Sequence, residues 1–185
     1  MQIELKYGDR LHVLTIPEQA EVSVLRTSGM PAITDLEAEL ENALSSPVGG
    51  EGIESLIRLL KPRSVSIAIP DETRPVPSNK LLPVLLRRLF AAWPSLKAGD
   101  VTIVIGGGLH PPLEYEAIRR ILPARTFEQC RVVTHDAVNA TMFDFGRTSR
   151  GTPVRINAEY ATADIKIIIG QIDPHQFVGF TGGAK

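Results

Sequence analysis

The sequence predicts an α/β fold, and three observations carry that expectation. Four runs rich in β-branched residues, Ser64–Ile69, Val101–Ile105, Arg131–Thr134 and Ile165–Ile169, have the length and character of strands buried in a sheet. Amphipathic stretches, Ser78–Trp93 and Pro112–Leu122, separate them. Strands alternating with helices imply parallel pairing, because joining parallel neighbours needs a crossover of a dozen or more residues. Ahead of these, Ile3, Leu5 and Tyr7 alternate with polar residues, Gly8-Asp9 supplies a turn, and Leu11, Val13 and Leu14 resume the extended pattern. The expected architecture is a Rossmann-like, mostly parallel sheet with helices on both faces, preceded by an N-terminal β-hairpin. Residues 1–30 form the hairpin appendage and residues 31–185 the sheet domain, which closes with a glycine-rich loop.

In chain order, Glu21–Leu25 is a candidate third strand beside the hairpin, and His12 is a surface residue with no visible partner. Thr34-Asp-Leu-Glu37 reads as a capping box, starting a helix whose buried stripe is Leu36, Leu40, Ala43 and Leu44. Ser46–Gly50 is a loop and Ile53–Leu60 a second short helix. After the third parallel strand a turn-rich segment runs through Pro153–Ile156 to a strand at Ile165 that reads as buried.

Composition excludes several classes of partner. With 185 residues, 43% of them hydrophobic and 22% charged, the chain can bury a core and is not globally disordered. A net charge of −1 gives no reason to expect nucleic acid or an acidic membrane surface. The single cysteine, Cys130, rules out an internal disulfide framework, fits a reducing compartment and reads as a core residue. Met1-Gln-Ile-Glu-Leu-Lys6 lacks the apolar segment of a signal peptide, and no apolar run approaches the ~18 residues of a membrane span. The expectation is a soluble cytoplasmic protein.

Open α/β sheets bind ligands outside the carboxyl ends of their strands, and those ends are rich here. They carry Pro70-Asp-Glu-Thr-Arg-Pro-Val-Pro77, Gly106-Gly-Gly-Leu-His-Pro-Pro112, His135-Asp136, and the loop from His175 to Lys185. Each has a plainer reading. Asp71 could cap a turn and pair with Arg74, and His135 could bond locally. Gly106–Gly108 suggests phosphate binding, yet a dinucleotide fingerprint would have glycine where His110 stands. Gly182-Gly183-Ala184-Lys185 looks like a P-loop except that Ala184 replaces the glycine before the lysine. His110 and His175, on loops flanked by proline and glycine, read as functional rather than core residues.

Three motifs together resemble the nickel-dependent lactate racemase family, specifically its N-terminal domain, over nearly the whole chain. They are Asp71-Glu-Thr-Arg-Pro-Val-Pro77, Gly108-Leu-His110 and Pro174-His-Gln-Phe-Val-Gly-Phe-Thr-Gly-Gly-Ala-Lys185. The resemblance implies a 2-hydroxy acid racemase or epimerase working by reversible hydride transfer to a nickel-pincer nucleotide, a pyridinium-3,5-bisthiocarboxylic acid mononucleotide. It implies that Lys185 tethers this cofactor, that His110 and His175 are the acid/base pair, and that Arg74 orients the substrate. Asp71, Thr73, Gly182 and Gly183 would contact the cofactor. Partners implied are a small 2-hydroxy acid and the proteins that build the cofactor and insert nickel.

The residue types suit that chemistry. Taking the C2 hydrogen as hydride, while a base takes the hydroxyl proton, avoids a carbanion beside a carboxylate. Inverting the centre then needs a base usable from each side, hence two imidazoles. Where the family carries Thr-His-Arg-Pro, this chain has Leu109-His110-Pro111-Pro112, a difference that bears on substrate preference. The family's own nickel-ligand histidine and second domain follow the tethered lysine, so no metal ligand is expected among residues 1–185 and this stretch alone is expected to be inactive. Two rival readings are a metal-dependent hydrolase using His110, His135, His175 and Asp71, and a non-catalytic nucleotide-binding module.

Overall fold

In the computed structural model Gln2–Tyr7 (β1) and Arg10–Thr15 (β2) form an antiparallel hairpin in which Gln2 faces Thr15 and Tyr7 faces Arg10. The structure describes residues 1–24, 29 and 31–182. Gly8 makes the turn with φ of +58°, a conformation that favours glycine. His12 is exposed as expected but does have a partner: the Tyr7 ring lies edge-on to it at 5.3 Å, a diagonal cross-strand contact. Residues 21–24 form no strand, which removes the described part of the candidate third strand; Leu25 lies outside the described residues. The hairpin belongs to one compact unit, Met1–Ile33, and the remainder to a second, Thr34–Lys185.

The second unit begins with Leu36–Ser45 (α1) and Ile53–Leu60 (α2), followed by Val65–Pro70 (β3) and Ser78–Ala92 (α3). Then come Val101–Gly106 (β4), Tyr115–Ile121 (α4), Ala124–Gln129 (α5) and Arg131–Thr134 (β5). Met142–Arg147 (β6) and Pro153–Asn157 (β7) pair as an antiparallel hairpin, and Ala158–Ala161 (α6) leads into Ile165–Ile168 (β8). Two short strands, Pro174–His175 (β9) and Gly179–Phe180 (β10), close the described chain. No described helix is long and apolar enough to cross a membrane.

The central sheet has the order β5-β4-β3-β8, all parallel. Register places Val65 beside Val101 and Ile165, so residues of one parity share a face. Val65, Ile67, Ile69, Val101, Ile103 and Ile105 are buried on that face with Ile57 of α2, Leu82 and Leu89 of α3, and Leu122. The opposite parity, including Ser66, Ala68 and Val104, lies on the other face, and α6 packs on β3 and β4. Helices therefore cover both faces, as the alternation predicted, but the main core lies on one. Ile67 is fully buried in the centre of that core. Ile67→Ala should lower stability by about 2–5 kcal/mol, read as a reduced urea midpoint with unchanged m-value; a loss under about 1 kcal/mol would mean this core is not the one that holds the fold.

Several expectations need correction. Helix α1 is capped by Asp35, whose Oδ1 accepts from Ala38 N–H at 3.0 Å, so Thr34 is not the cap and the capping box shifts out of register. An ionised carboxylate is the stronger acceptor for an amide at the positive end of a helix. The predicted α1 stripe is half-buried rather than buried, and Ala43 is exposed. The reason is that α1 packs on α3, not on the sheet, and is held there by charge. Arg87 reaches Glu37 at 3.0 Å and Glu41 at 2.6 Å, while Arg88 binds Glu41 at 3.1 Å and also Glu54 of α2. Helix α4 starts only at Tyr115, and α5 and the strand β6 had no sequence signal that was read. β8 is half-buried, not buried, because it is the edge of the sheet, and Ile168 stays 44% exposed. Asp164 anchors its start: Oδ2 accepts from the backbone N–H of Arg63 at 2.7 Å and Ser64 at 3.2 Å, which holds the carboxyl below its usual range.

Candidate functional site

The chain moves from β3 to β4 to β5 in one direction and returns on the far side of β3 as β8. The topological switch point, where such sheets open a crevice, therefore lies at the carboxyl ends of β3 and β8. The loop 71–77 leaves one of these ends and the loop 169–182 the other, with the loop carrying His110 adjacent on β4. β5, and with it His135, lies at the far edge.

At the end of β3, Asp71 is only 5% exposed, and both of its oxygens are engaged. Oδ2 lies 2.6 Å from His110 Nδ1, while Oδ1 accepts from Thr73 N–H at 3.1 Å and from the Thr73 hydroxyl at 2.5 Å. The glycine run at the end of β4 explains how they meet. A Cβ on Gly107 would sit 3.4 Å from Asp71 Oδ2 and 3.6 Å from His110 Cβ, and Gly108 at φ +62° lets His110 N–H turn back to Gly107 O at 3.0 Å. A Cβ on Gly107 would make only ordinary contacts, so it is the positive φ of Gly108 that turns the imidazole onto the carboxylate. Burial works to raise the Asp71 pKa, but the hydrogen bonds with His110 and Thr73 outweigh it and hold the carboxyl below its ordinary value. Asp71 is thus ionised at neutral pH, and the stability it contributes is present above the unfolded carboxyl pKa and lost as pH falls through its lower folded value.

Arg74 does not pair with Asp71. Its Nη1 reaches only the Thr73 carbonyl and hydroxyl, each at 3.4 Å, and among the described residues it makes no ion pair. It is an exposed guanidinium on the rim. A cleft of about 490 Å³ is lined by Asp71, Thr73, His110, Pro111, Leu113 and Arg120, the last paired with Glu72 at 2.9 Å; neither Arg74 nor His175 lines it.

Across the switch point, β9 and β10 make a small hairpin fastened by Thr181 N–H to Asp173 O at 2.7 Å. His175 Nδ1 accepts from Phe177 N–H at 3.2 Å. Gly182 has φ of +106°, and a Cβ there would fall 2.2 Å from the Gln171 carbonyl oxygen, so only glycine fits. Gln171 itself was not singled out from the sequence. Its Nε2 donates to Asp173 at 2.9 Å, while Oε1 is buried with no hydrogen-bond partner among the described residues. Gly183 and Lys185 lie outside the described residues.

The structure keeps His135 out of this group. Asn157 Nδ2 lies 3.1 Å from His135 Nδ1, and the same Asn157 caps α6 by accepting from Glu159 N–H at 2.9 Å. Asp136 is likewise used locally, accepting from Val138 and Asn139 N–H at 2.8 and 2.9 Å. Among the described residues no three His, Cys, Asp or Glu side chains are grouped to hold a metal ion. The four-residue ligand set of the hydrolase reading is not assembled. Cys130 is buried, which pushes its thiol up, in keeping with a core residue.

The comparisons agree with the geometry. The profile of the lactate racemase N-terminal domain matches residues 7–185. The lactate racemase of Lactiplantibacillus plantarum is 32% identical, covering 99% of this chain and 43% of that protein. That of Thermoanaerobacterium thermosaccharolyticum is 28% identical, covering 99% and 42%. The solved apoprotein structure of the latter superposes with a TM-score of 0.84 at 28% identity, again over 99% of this chain and 42% of that one. A Thermotoga maritima protein at 20% identity and TM-score 0.59 shares the fold. The chain spans less than half the length of the lactate racemases it matches. It belongs to the lactate racemase N-terminal domain family.

Proposed function

We propose that the protein containing this chain interconverts the two hands of a small 2-hydroxy acid. The observation that carries the reading is the rim at the switch point. It bears an imidazole backed by a buried carboxylate and, on the loops that leave β3 and β8, an exposed guanidinium with no ion pair among the described residues and a second imidazole. The strand ends that carry His110 and His175, β4 and β8, are two strands apart, about 10 Å by ordinary strand spacing, so loops of this length can reach one small substrate.

In this reading Arg74 binds the substrate carboxylate through its planar fork of donors. His110 and His175 take and return the hydroxyl proton from opposite sides, and neutral imidazole is matched to that task near pH 7. Lys185 anchors the nickel-pincer nucleotide, which when bound supplies the acceptor for the C2 hydrogen. The residues present fit such a group. Gln171 Oε1 is a buried acceptor with no partner among the described residues, to which a ribose hydroxyl of a nucleotide could donate. Gly182, with Gly183 after it, lets the loop pass close to Gln171 on its way to Lys185. Thr73 is exposed and borders the cleft lined by Asp71 and His110. Asp71, buried with both oxygens engaged, acts through His110 rather than by touching the nucleotide. No metal ligand is assigned to residues 1–185. A cytoplasmic location, and partners that build the cofactor and insert nickel, belong to the same proposal, as does the division into a hairpin appendage and a cofactor-bearing sheet domain.

The test is chiral chromatography of single enantiomers of lactate, malate and sugar acids incubated with full-length, cofactor-loaded protein. Loss of optical purity in at least one is the expected result. Retention of optical purity in every 2-hydroxy acid tried would overturn the reading.

A further inference from the structure

We propose that Asp71 is a positioning residue that fixes His110 in the tautomer opposite to the one the Phe177 amide fixes in His175, so that the two imidazoles of the site are unequal partners. The inference rests on the racemase reading for its kinetic consequence, but its structural content stands on the hydrogen bonds alone.

An ionised carboxylate only accepts, so the 2.6 Å contact from Asp71 Oδ2 requires the hydrogen on His110 Nδ1. Neutral His110 then presents Nε2 as a bare lone pair. His175 is wired the other way. A backbone N–H only donates, so the 3.2 Å contact from Phe177 requires the lone pair on His175 Nδ1. Neutral His175 therefore carries its hydrogen on Nε2. One ring offers a base at Nε2 and the other only a hydrogen-bond donor at the same atom.

The supports differ in strength as well as in sense. Asp71 is buried, and its second oxygen is pinned by both the backbone and the hydroxyl of Thr73, so it cannot swing away from His110 without breaking two further bonds. Once His110 Nε2 accepts the hydroxyl proton, the O–H bond breaks, an N–H bond forms, and the resulting imidazolium faces a carboxylate at hydrogen-bond distance. His175 has only an amide, which opposes a proton on Nδ1. For His175 to serve as the base in the reverse sense, its ring must flip or release Phe177, whereas His110 needs no rearrangement. His110 is accordingly the prepared base of the pair.

The experiment uses full-length, cofactor-free protein labelled with 15N-histidine, read by long-range proton–nitrogen correlation above the histidine titration range. His110→Gln and His175→Gln spectra assign the two signals. The wild-type protein should show His110 protonated on Nδ1 and His175 on Nε2. Asp71→Asn should move His110 toward the Nε2–H form and leave His175 unchanged, and Thr73→Val should broaden or partly shift His110. In the cofactor-loaded protein Asp71→Asn should lower kcat about 10²- to 10⁴-fold with little change in KM. Both hands should slow together, because the equilibrium constant between enantiomers is fixed at one. Wild-type His110 in the Nε2–H form, or the same tautomer in both histidines, overturns the proposal even if Asp71→Asn fails to fold. A His110 tautomer unmoved by Asp71→Asn does so as well. The expected tautomers in a protein that racemises nothing would leave the pairing intact and remove the reaction instead.

Discussion

Full-length protein carrying Lys185→Ala should carry no covalent cofactor and should racemise nothing. The expectation starts from local geometry. The loop after β8 is fastened at two points just before this lysine: Thr181 to Asp173 at 2.7 Å, and Gly182, which passes too close to the Gln171 carbonyl for any side chain. The chain therefore reaches its last described residues anchored to the end of β8, at the topological switch point. An amine there could condense with a thiocarboxyl group of the cofactor, a C–N bond forming as water leaves, whereas alanine offers no nucleophile. Intact-mass measurement after cofactor loading reads the result directly: the adduct mass present in the wild type should be absent in the variant. An undiminished adduct would move the anchor to another residue. Lys185→Arg is the useful companion, since it keeps the charge but guanidinium is a poor nucleophile, and it too should lack the adduct.

His110→Ala should lower kcat about 10²- to 10⁴-fold, the usual range for losing a positioned proton-transfer group. The effect should exceed that of Asp71→Asn, because alanine removes the group that touches substrate while asparagine only misdirects it. His110→Ala also leaves Asp71 as a buried carboxylate without its imidazole hydrogen-bond donor, 5% exposed and held only by Thr73. Burying an unpaired charge is destabilising, so the activity comparison has to be made on protein shown to be folded by its thermal transition. The double variant Asp71→Asn with His110→Ala should recover part of the stability lost in His110→Ala and none of the activity. A His110→Ala protein with kcat within tenfold of the wild type would exclude His110 from proton transfer.

Much of the fold was legible in the sequence because parallel strands buried on both faces write themselves as short runs rich in β-branched residues and free of charge. Val65–Ile69 and Val101–Ile105 announce β3 and β4 in this way. The rich strand ends could be located for the same reason: once the strands are known, so are the residues that follow them. What composition and periodicity could not do was rank those residues. Loop context set His110 and His175 above His135, but only sheet order shows that β3 and β8 flank the switch point while β5, with His135, lies at the edge.

Hydrogen-bond partners were beyond the sequence for a simple reason. Asp71 and His110 are 39 residues apart, and Asp71 and Arg74 only three. Local spacing favoured the Asp71–Arg74 pair, and parallel register overruled it by placing Pro70 beside Gly106 and so the two following loops side by side. The glycines show the same division. Their presence after β4 and after β8 was visible as residue type, but that Gly108 turns His110 back onto Asp71, and that Gly182 makes room for a neighbouring carbonyl, depends on what the fold brings beside them. By itself the sequence determined which elements form and which chemical groups follow the strands. The tertiary structure alone decided which of those groups meet, because pairing across a sheet is set by strand order and register, and neither is encoded in the spacing of residues along one strand.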